Sequence, residues 1–165
     1  MNSQTVPNTR HISFGTSGLS LVDKFGIWLS RRRIIRELVG RRDLSVLELG
    51  CGYAATNLFA IEDRASSLVA VDFNLSDAVK QHPKFVAVES NIDGALPQMA
   101  NHKFDLILLI SVLEHLEDPL RILIECKKML RPGGVLLVNV PTWLGKIFLE
   151  YAAFVLKVCP EGGNG

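Results

Sequence analysis

The sequence predicts an α/β domain built on a doubly wound sheet of five parallel strands. Short β-rich runs alternate with helical segments from residue 45 onward. The strand candidates are near-continuous apolar runs such as LILLI and VLLVNV, as expected of a parallel sheet covered on both faces. A glycine-bearing turn leads from the first strand into a helix, the usual start of a doubly wound sheet.

Taken in order, residues 1–18 are polar and contain Pro7, Gly15 and Gly18. They read as an arm that is mobile or contacts substrate. Between Leu19 and Val39, Leu21, Phe25, Trp28, Leu29, Ile35, Leu38 and Val39 recur at helical spacing. Gly40 ends that helix, because glycine tolerates the left-handed turn best. Strands are expected at Ser45–Leu49, Leu68–Val71, Phe85–Val88, Phe104–Ile110 and Gly134–Val140. Helices are expected at Ala55–Glu62, Leu75–Gln81, Pro119–Leu130 and Trp143–Val158. Asp118-Pro119 reads as an N-cap with proline at the first helical position. Arg131-Pro132-Gly133-Gly134 reads as a turn delivering the chain into the fifth strand. The domain proper spans residues 19–142, followed by the apolar helix 143–158 and a flexible tail, 159–165.

Composition narrows the function classes. The 165 residues are 48% apolar and 21% charged, with a net charge of +1. That is the profile of a folded domain, and no bulk field marks a nucleic-acid partner. Cys51, Cys126 and Cys159 are odd in number and show no CxxC spacing, which argues against a disulfide framework and a metal site. No leader-like or membrane-spanning apolar run is apparent, so a cytoplasmic location is expected.

The chemistry concentrates in Val46-Leu47-Glu48-Leu49-Gly50-Cys51-Gly52. Gly50 and Gly52 let the backbone approach a ligand that a Cβ would push away. The following helix is expected to offer free N–H groups to a carboxylate or phosphate. Asp72 closes the next strand (VAVD) about 20 residues on, where an acid accepts hydrogen bonds from ribose hydroxyls. Glu48 decides between ligands. It would repel the pyrophosphate of a nicotinamide or flavin nucleotide, yet it would attract an ammonium. A ligand with ribose but no phosphate, and with an ammonium and a carboxylate, is S-adenosylmethionine.

These residues resemble the class I S-adenosylmethionine-dependent methyltransferases, particularly the small-molecule group that includes quinone O-methyltransferases. The resemblance runs through VLELGCG (46–52), VAVD (69–72), the LP after a short turn (96–97), FDLILLISVLEHLEDP (104–119) and LRPGGVLLVNVP (130–141). It implies a Rossmann-like fold with the cofactor in the crevice between the first and fourth strands. It places Glu48, Gly50, Cys51 and Gly52 around the methionyl part, Asp72 on the ribose and Phe73 beside adenine. The family's GD pair after the third strand is Ser90-Asn91 here, so Asn91 would meet the adenine amino group through a neutral oxygen. Ile92 would offer its backbone N–H to the ring, and Ser111 would border the methionyl tail.

Methyl transfer from a sulfonium is an in-line displacement with an activated leaving group, so alignment and exclusion of water matter most. A base is useful only for a protonated acceptor. His115, after the fourth strand, is the candidate base, with packing or helix capping as the plainer role for it. His11, His82 and His102 sit in polar or turn-like contexts and are expected to be exposed.

The segment Trp143–Val158 is apolar on nearly every side, interrupted only by Lys146, Glu150 and Lys157. The resemblance implies a final antiparallel hairpin beyond it, and this sequence shows none. A shortened sheet of five of the usual seven strands is therefore expected. Its free edge would be open to self-association, and its apolar helix reads as a core helix left uncovered by the shortening, with a partner or a lipid-like acceptor as the alternative. Arginines 31, 32, 33, 36, 41 and 42 fan around their helix. They read as a solvated face, with an anionic acceptor or a peripheral membrane surface as the alternative.

The expected activity is methyl transfer to a small-molecule or cell-envelope precursor acceptor, with oxygen the favoured atom. Two rivals stand beside it: a cofactor-binding domain without turnover, and an NAD-dependent oxidoreductase. Glu48 and the missing G-x-x-G continuation after Gly52 disfavour the second.

Overall fold

The computed structural model describes Trp28 and residues 31–139. The expected N-terminal arm, the apolar helix Trp143–Val158 and the tail lie outside the described residues. Five strands form one all-parallel sheet: β1 (Leu44–Leu49), β2 (Ala65–Asp72), β3 (Phe85–Glu89), β4 (Phe104–Ile110) and β5 (Leu130–Asn139). Their order is β3-β2-β1-β4-β5. The chain therefore winds outward from β1 through β2 to β3, crosses back, and winds outward again through β4 to β5. The reversal leaves a crevice between the carboxyl ends of β1 and β4, where ligands of open α/β sheets bind.

Helices cover both faces: α1 (residues 31–37), α2 (Thr56–Phe59), α3 (Asp77–Lys80), α4 (Ile92–Met99) and α5 (Pro119–Met129). Alternate residues of each strand feed two separate cores. On one face Val46, Leu68, Ala70, Leu106 and Leu108 pack with Ile34 of α1, Leu38 just after it, Leu58 of α2 and Val79 of α3. On the other, Leu47, Val69, Val71, Ile107 and Leu109 pack with Leu96 and Met99 of α4 and with Ile122, Cys126 and Met129 of α5. Each fully buried leucine or isoleucine contributes roughly 1.5–3 kcal/mol, which is why the strands carry unbroken apolar runs. Glu48 has the parity of Val46 and so lies on the α1–α3 face, towards α2.

The expected strands are all present, but several local expectations need correction. The LP at 96–97 does not follow a short turn: it lies inside α4, whose Ala95, Leu96 and Met99 are buried. Asn91 caps that helix, accepting from the Gly94 N–H at 2.7 Å, and the cap with its apolar face outweighs the helix-breaking tendency of Pro97. The expected turn Arg131–Gly134 is an outward loop within β5. Phe104 pairs with Leu130 and Leu106 with Val135, so Asp105 alone faces four residues. Asp105 accounts for this, because its carboxylate takes both Arg131 and the Ser45 N–H of β1. The helix expected at Ala55–Glu62 is a four-residue α2 followed by a 3-10 turn at Glu62–Arg64. His82 is not fully exposed. Its ring packs edge-on against Phe59 and Phe85, and its Nε2 faces Glu62 at 3.2 Å. Gly40 ends α1 at φ +76°, and Asp118 caps α5 by accepting the Arg121 N–H at 3.0 Å, both as expected.

Candidate functional site

The turn after β1 is drawn onto the end of β2. Gly50 and Gly52 both sit at φ +74°, a left-handed conformation that side-chain-bearing residues adopt at a cost. The N–H groups of Gly50 and Cys51 donate to the Val71 carbonyl at 2.8 and 3.0 Å. The Gly52 N–H donates to Asp72 Oδ2 at 2.7 Å, and the Phe73 N–H donates to Oδ1 at 2.8 Å. Asp72 is 9% exposed, and each of its oxygens keeps acceptor capacity beyond the one backbone bond it receives.

The end of β2 takes the amides of Gly50, Cys51 and Gly52, so they are not the free N–H groups expected of the helix that follows. Nor does a long helix follow: Ala55 is itself left-handed at φ 44°, and α2 spans only Thr56–Phe59.

Glu48 lies beneath this turn with 1% of its surface exposed. Its Oε1 accepts the Asn57 side-chain amide of α2 at 2.8 Å. Its Oε2 and the Asn57 Oδ1 are buried acceptors without a donor. Burial pushes the Glu48 carboxyl up to about 8, against the Asn57 hydrogen bond that lowers it, and the nearby charge of Asp72 raises it further. The Cys51 thiol is also pushed up, by burial and then by the charges of Glu48 and Asp72. Among the described residues, the buried polar or charged side chains are Glu48, Asn57 and Asp72, and all three belong to this cluster.

The segment after β4 closes over the turn. A Cβ on Gly50 would stand 2.5 Å from Val112 Cγ2, so a side chain at 50 collides with the β4 side of the crevice. Ser111 is exposed, sits at φ 54°, and donates its N–H to the Asn139 carbonyl of β5 at 2.7 Å. A non-glycine residue in this region carries strain of a kind found at functional sites. His115 ends a 3-10 turn, Leu113–His115, and is exposed.

At the end of β3, Glu89 accepts the Leu75 N–H at 2.8 Å and pairs with Lys80 at 2.7 Å. The Lys80 and Leu75 hydrogen bonds hold its carboxyl below the usual range. The chain segment after β2 is thereby anchored to β3, and the Ser90 N–H donates to the Asp72 carbonyl. Phe73 is 40% exposed at this rim. Asn91 uses its side-chain oxygen as the α4 cap, and Ile92 opens that helix half-buried.

The structure thus joins Glu48, Gly50, Cys51, Gly52 and Asp72 through neighbouring backbone and direct bonds. Phe73, Asn91 and Ile92 lie along the adjoining ends of β2 and β3, while Ser111 and His115 follow β4. Asn57, Val112 and Glu89 were not singled out from sequence. Asn57 alone had a signal there, as a polar residue directly before the apolar run Leu58–Ile61.

Residues 47–138, more than half of the chain, match the family described as Methyltransferase domain. The chain belongs to that family. The methyltransferase domain is of the class I, S-adenosylmethionine-dependent kind. It is 29% identical over 120 residues to a Mycolicibacterium smegmatis protein named "Probable S-adenosylmethionine-dependent methyltransferase", covering 69% of this chain and 45% of that one. It is 31% identical over 134 residues to the ubiquinone biosynthesis O-methyltransferase of Actinobacillus pleuropneumoniae, covering 71% of this chain and 55% of the relative. The chain spans about half the length of these curated relatives. The fold is shared with the N-methyltransferase NodS from Bradyrhizobium japonicum, solved with S-adenosyl-L-homocysteine. That match has a TM-score of 0.57 and 22% identity, covering 72% of this chain and 62% of that one.

The site's own chemistry fits that cofactor. Glu48 Oε2 and Asn57 Oδ1 are orphaned acceptors beside the glycine turn, and a nucleotide phosphate there would meet the carboxyls of Glu48 and Asp72. Among the described residues, no cluster of three or more His, Cys, Asp and Glu could hold a metal ion. No described helix is long and apolar enough to cross a membrane.

Proposed function

We propose that this domain binds S-adenosylmethionine across the carboxyl ends of β1, β2 and β3 and transfers its methyl group to a small-molecule acceptor, with oxygen the favoured atom. The observation that carries the reading is the glycine turn bonded to Asp72 above a buried Glu48 that keeps a free acceptor. The O-methyltransferase relative supports oxygen.

When bound, the cofactor supplies an electrophilic methyl group on a sulfonium. Asp72 directs its remaining acceptor capacity to the ribose hydroxyls, and Phe73 packs beside the adenine. The Ile92 N–H, at the start of α4, meets the ring. Asn91 contributes at the adenine rim while capping that helix. Cys51, buried and un-ionised, lines the turn as an apolar surface. Ser111, with its strained backbone, borders the methionyl tail. Glu48 balances the ammonium, and its burial keeps that interaction from being screened by water. His115, exposed after β4, is placed to take a proton from a hydroxyl acceptor.

Exposed Arg32, Arg33, Arg36 and Arg42 suit an anionic acceptor or a lipid-like acceptor presented at a membrane surface. The edge of β5 is the surface through which copies of the chain would associate.

Calorimetric titration with S-adenosylhomocysteine and with NAD tests the cofactor: tight binding of the first alone is expected, and preference for NAD would sink the reading. A labelled-methyl assay on cell extract then separates an enzyme from a domain that only binds.

A further inference from the structure

Burying a polar side chain costs free energy unless its hydrogen bonds are made. Asn57 is 7% exposed on α2, between β1 and the α1–α3 core, and makes one bond, from Nδ2 to Glu48 Oε1 at 2.8 Å. Its Oδ1 has no donor, and neither has Glu48 Oε2. An acid–amide pair with two unmet acceptors is a poor way to stabilise a core, since apolar residues of similar shape would do as well or better. The pair makes sense as one half of a site whose donors arrive with a ligand.

Resting on the cofactor reading above, we propose that Asn57 is a positioning residue, holding the Glu48 carboxyl in one orientation so that its second oxygen serves the ammonium of the ligand's amino-acid part. The amide can donate to Oε1 whichever way Glu48 is charged, but the bond favours the ionised form. The titratable groups facing Glu48 are Asp72 at the end of β2 and Cys51 in the turn. Burial and then the charge of Asp72 oppose its ionisation, while the un-ionised Cys51 adds no charge, so the Asn57 amide is the group that counters them until a cation arrives. Removing it should make Glu48 harder to ionise and move the onset of ammonium binding to higher pH.

The test is calorimetry on the full chain from pH 6 to 9 with two probes, S-adenosylhomocysteine and 5′-methylthioadenosine, which lacks the amino-acid part. Asn57→Leu is expected to weaken S-adenosylhomocysteine by about 10- to 100-fold, the scale of one hydrogen bond to a charged group. Methylthioadenosine affinity should stay within about twofold, because Asp72 and the adenine rim are untouched. The pH at which S-adenosylhomocysteine affinity rises should move up. If Asn57→Leu does not fold, Asn57→Ser, smaller and still polar, should show the same selective loss. Equal losses for both probes, no loss for either, or an unmoved pH profile would overturn the role of Asn57 while leaving the cofactor reading intact. Wild-type protein that binds neither probe would overturn both.

Discussion

The Gly52 amide donates to Asp72 across 2.7 Å, so the acid at the end of β2 holds the glycine turn of β1 as well as facing the ligand crevice. On the proposed reading, binding and folding are therefore coupled at this residue. Asp72→Ala frees two backbone N–H groups and should cost about 1–3 kcal/mol of stability, the scale of leaving buried donors unpaired. It should also weaken S-adenosylhomocysteine by roughly 2–4 kcal/mol through lost charge-assisted bonds. Thermal melts and calorimetry read the two effects separately. An unchanged affinity in a folded variant removes Asp72 from the site.

Gly50 is constrained twice, by its φ of +74° and by Val112 Cγ2 standing 2.5 Å from where its Cβ would be. Gly50→Ala should cost about 1–2 kcal/mol for the left-handed backbone and about 1–3 kcal/mol for overpacking. Adding Val112→Ala should return the overpacking part alone. Urea denaturation of the two single variants and the double variant checks this, and strict additivity would show that the side chain of Val112 does not press on residue 50.

Glu48 makes stability depend on pH. Its carboxyl titrates near 4.5 unfolded and near 8 folded. Below 4.5 both states hold the proton. Between the two values only the folded state does, so the stability that Glu48 contributes falls as pH rises from 4.5 through 8. Glu48→Gln should flatten that slope and be the more stable protein at pH 9. Denaturant midpoints from pH 5 to 9 measure it, and identical slopes in both proteins would contradict the buried, protonated carboxyl.

If His115 takes the acceptor's proton, His115→Ala should lower turnover by ~10²–10⁴-fold while leaving S-adenosylhomocysteine affinity unchanged. Steady-state rates with titration on the same preparation decide it. Turnover within a few-fold of wild type returns His115 to a structural role in its 3-10 turn.

The strands were legible because a sheet covered on both faces needs uninterrupted apolar runs, and little else in a sequence looks like VLEL or LILLI. Helix α4 was not, because Gly94 and Pro97 disguise a helix whose cap and buried face decide the outcome. The bulge in β5 read as a turn for a related reason: Pro132 and Gly133 do break the strand, but Asp105 keeps it paired beyond the break. In the site, the identities of Glu48, Gly50, Gly52 and Asp72 were readable from their order after two strands. Their wiring was not. That β2 rather than a ligand takes the turn's amides depends on Val71 and Asp72 arriving alongside, which is a property of strand register. What Asn57 bonds became visible only when α2 turned it inward onto Glu48.

Val46, Leu47 and Glu48 are paired on both sides, to β2 and to β4, so this part of β1 opens only when the sheet comes apart. Its amides should exchange hydrogen for deuterium at the rate of global unfolding, whereas β3 and β5, at the edges of the described sheet, can open by themselves. The floor of the crevice is thus already in place before any ligand arrives. Slowed exchange on ligand binding should appear around residues 50–55 and 111–115, and the strand that carries Glu48 should give almost no signal of its own.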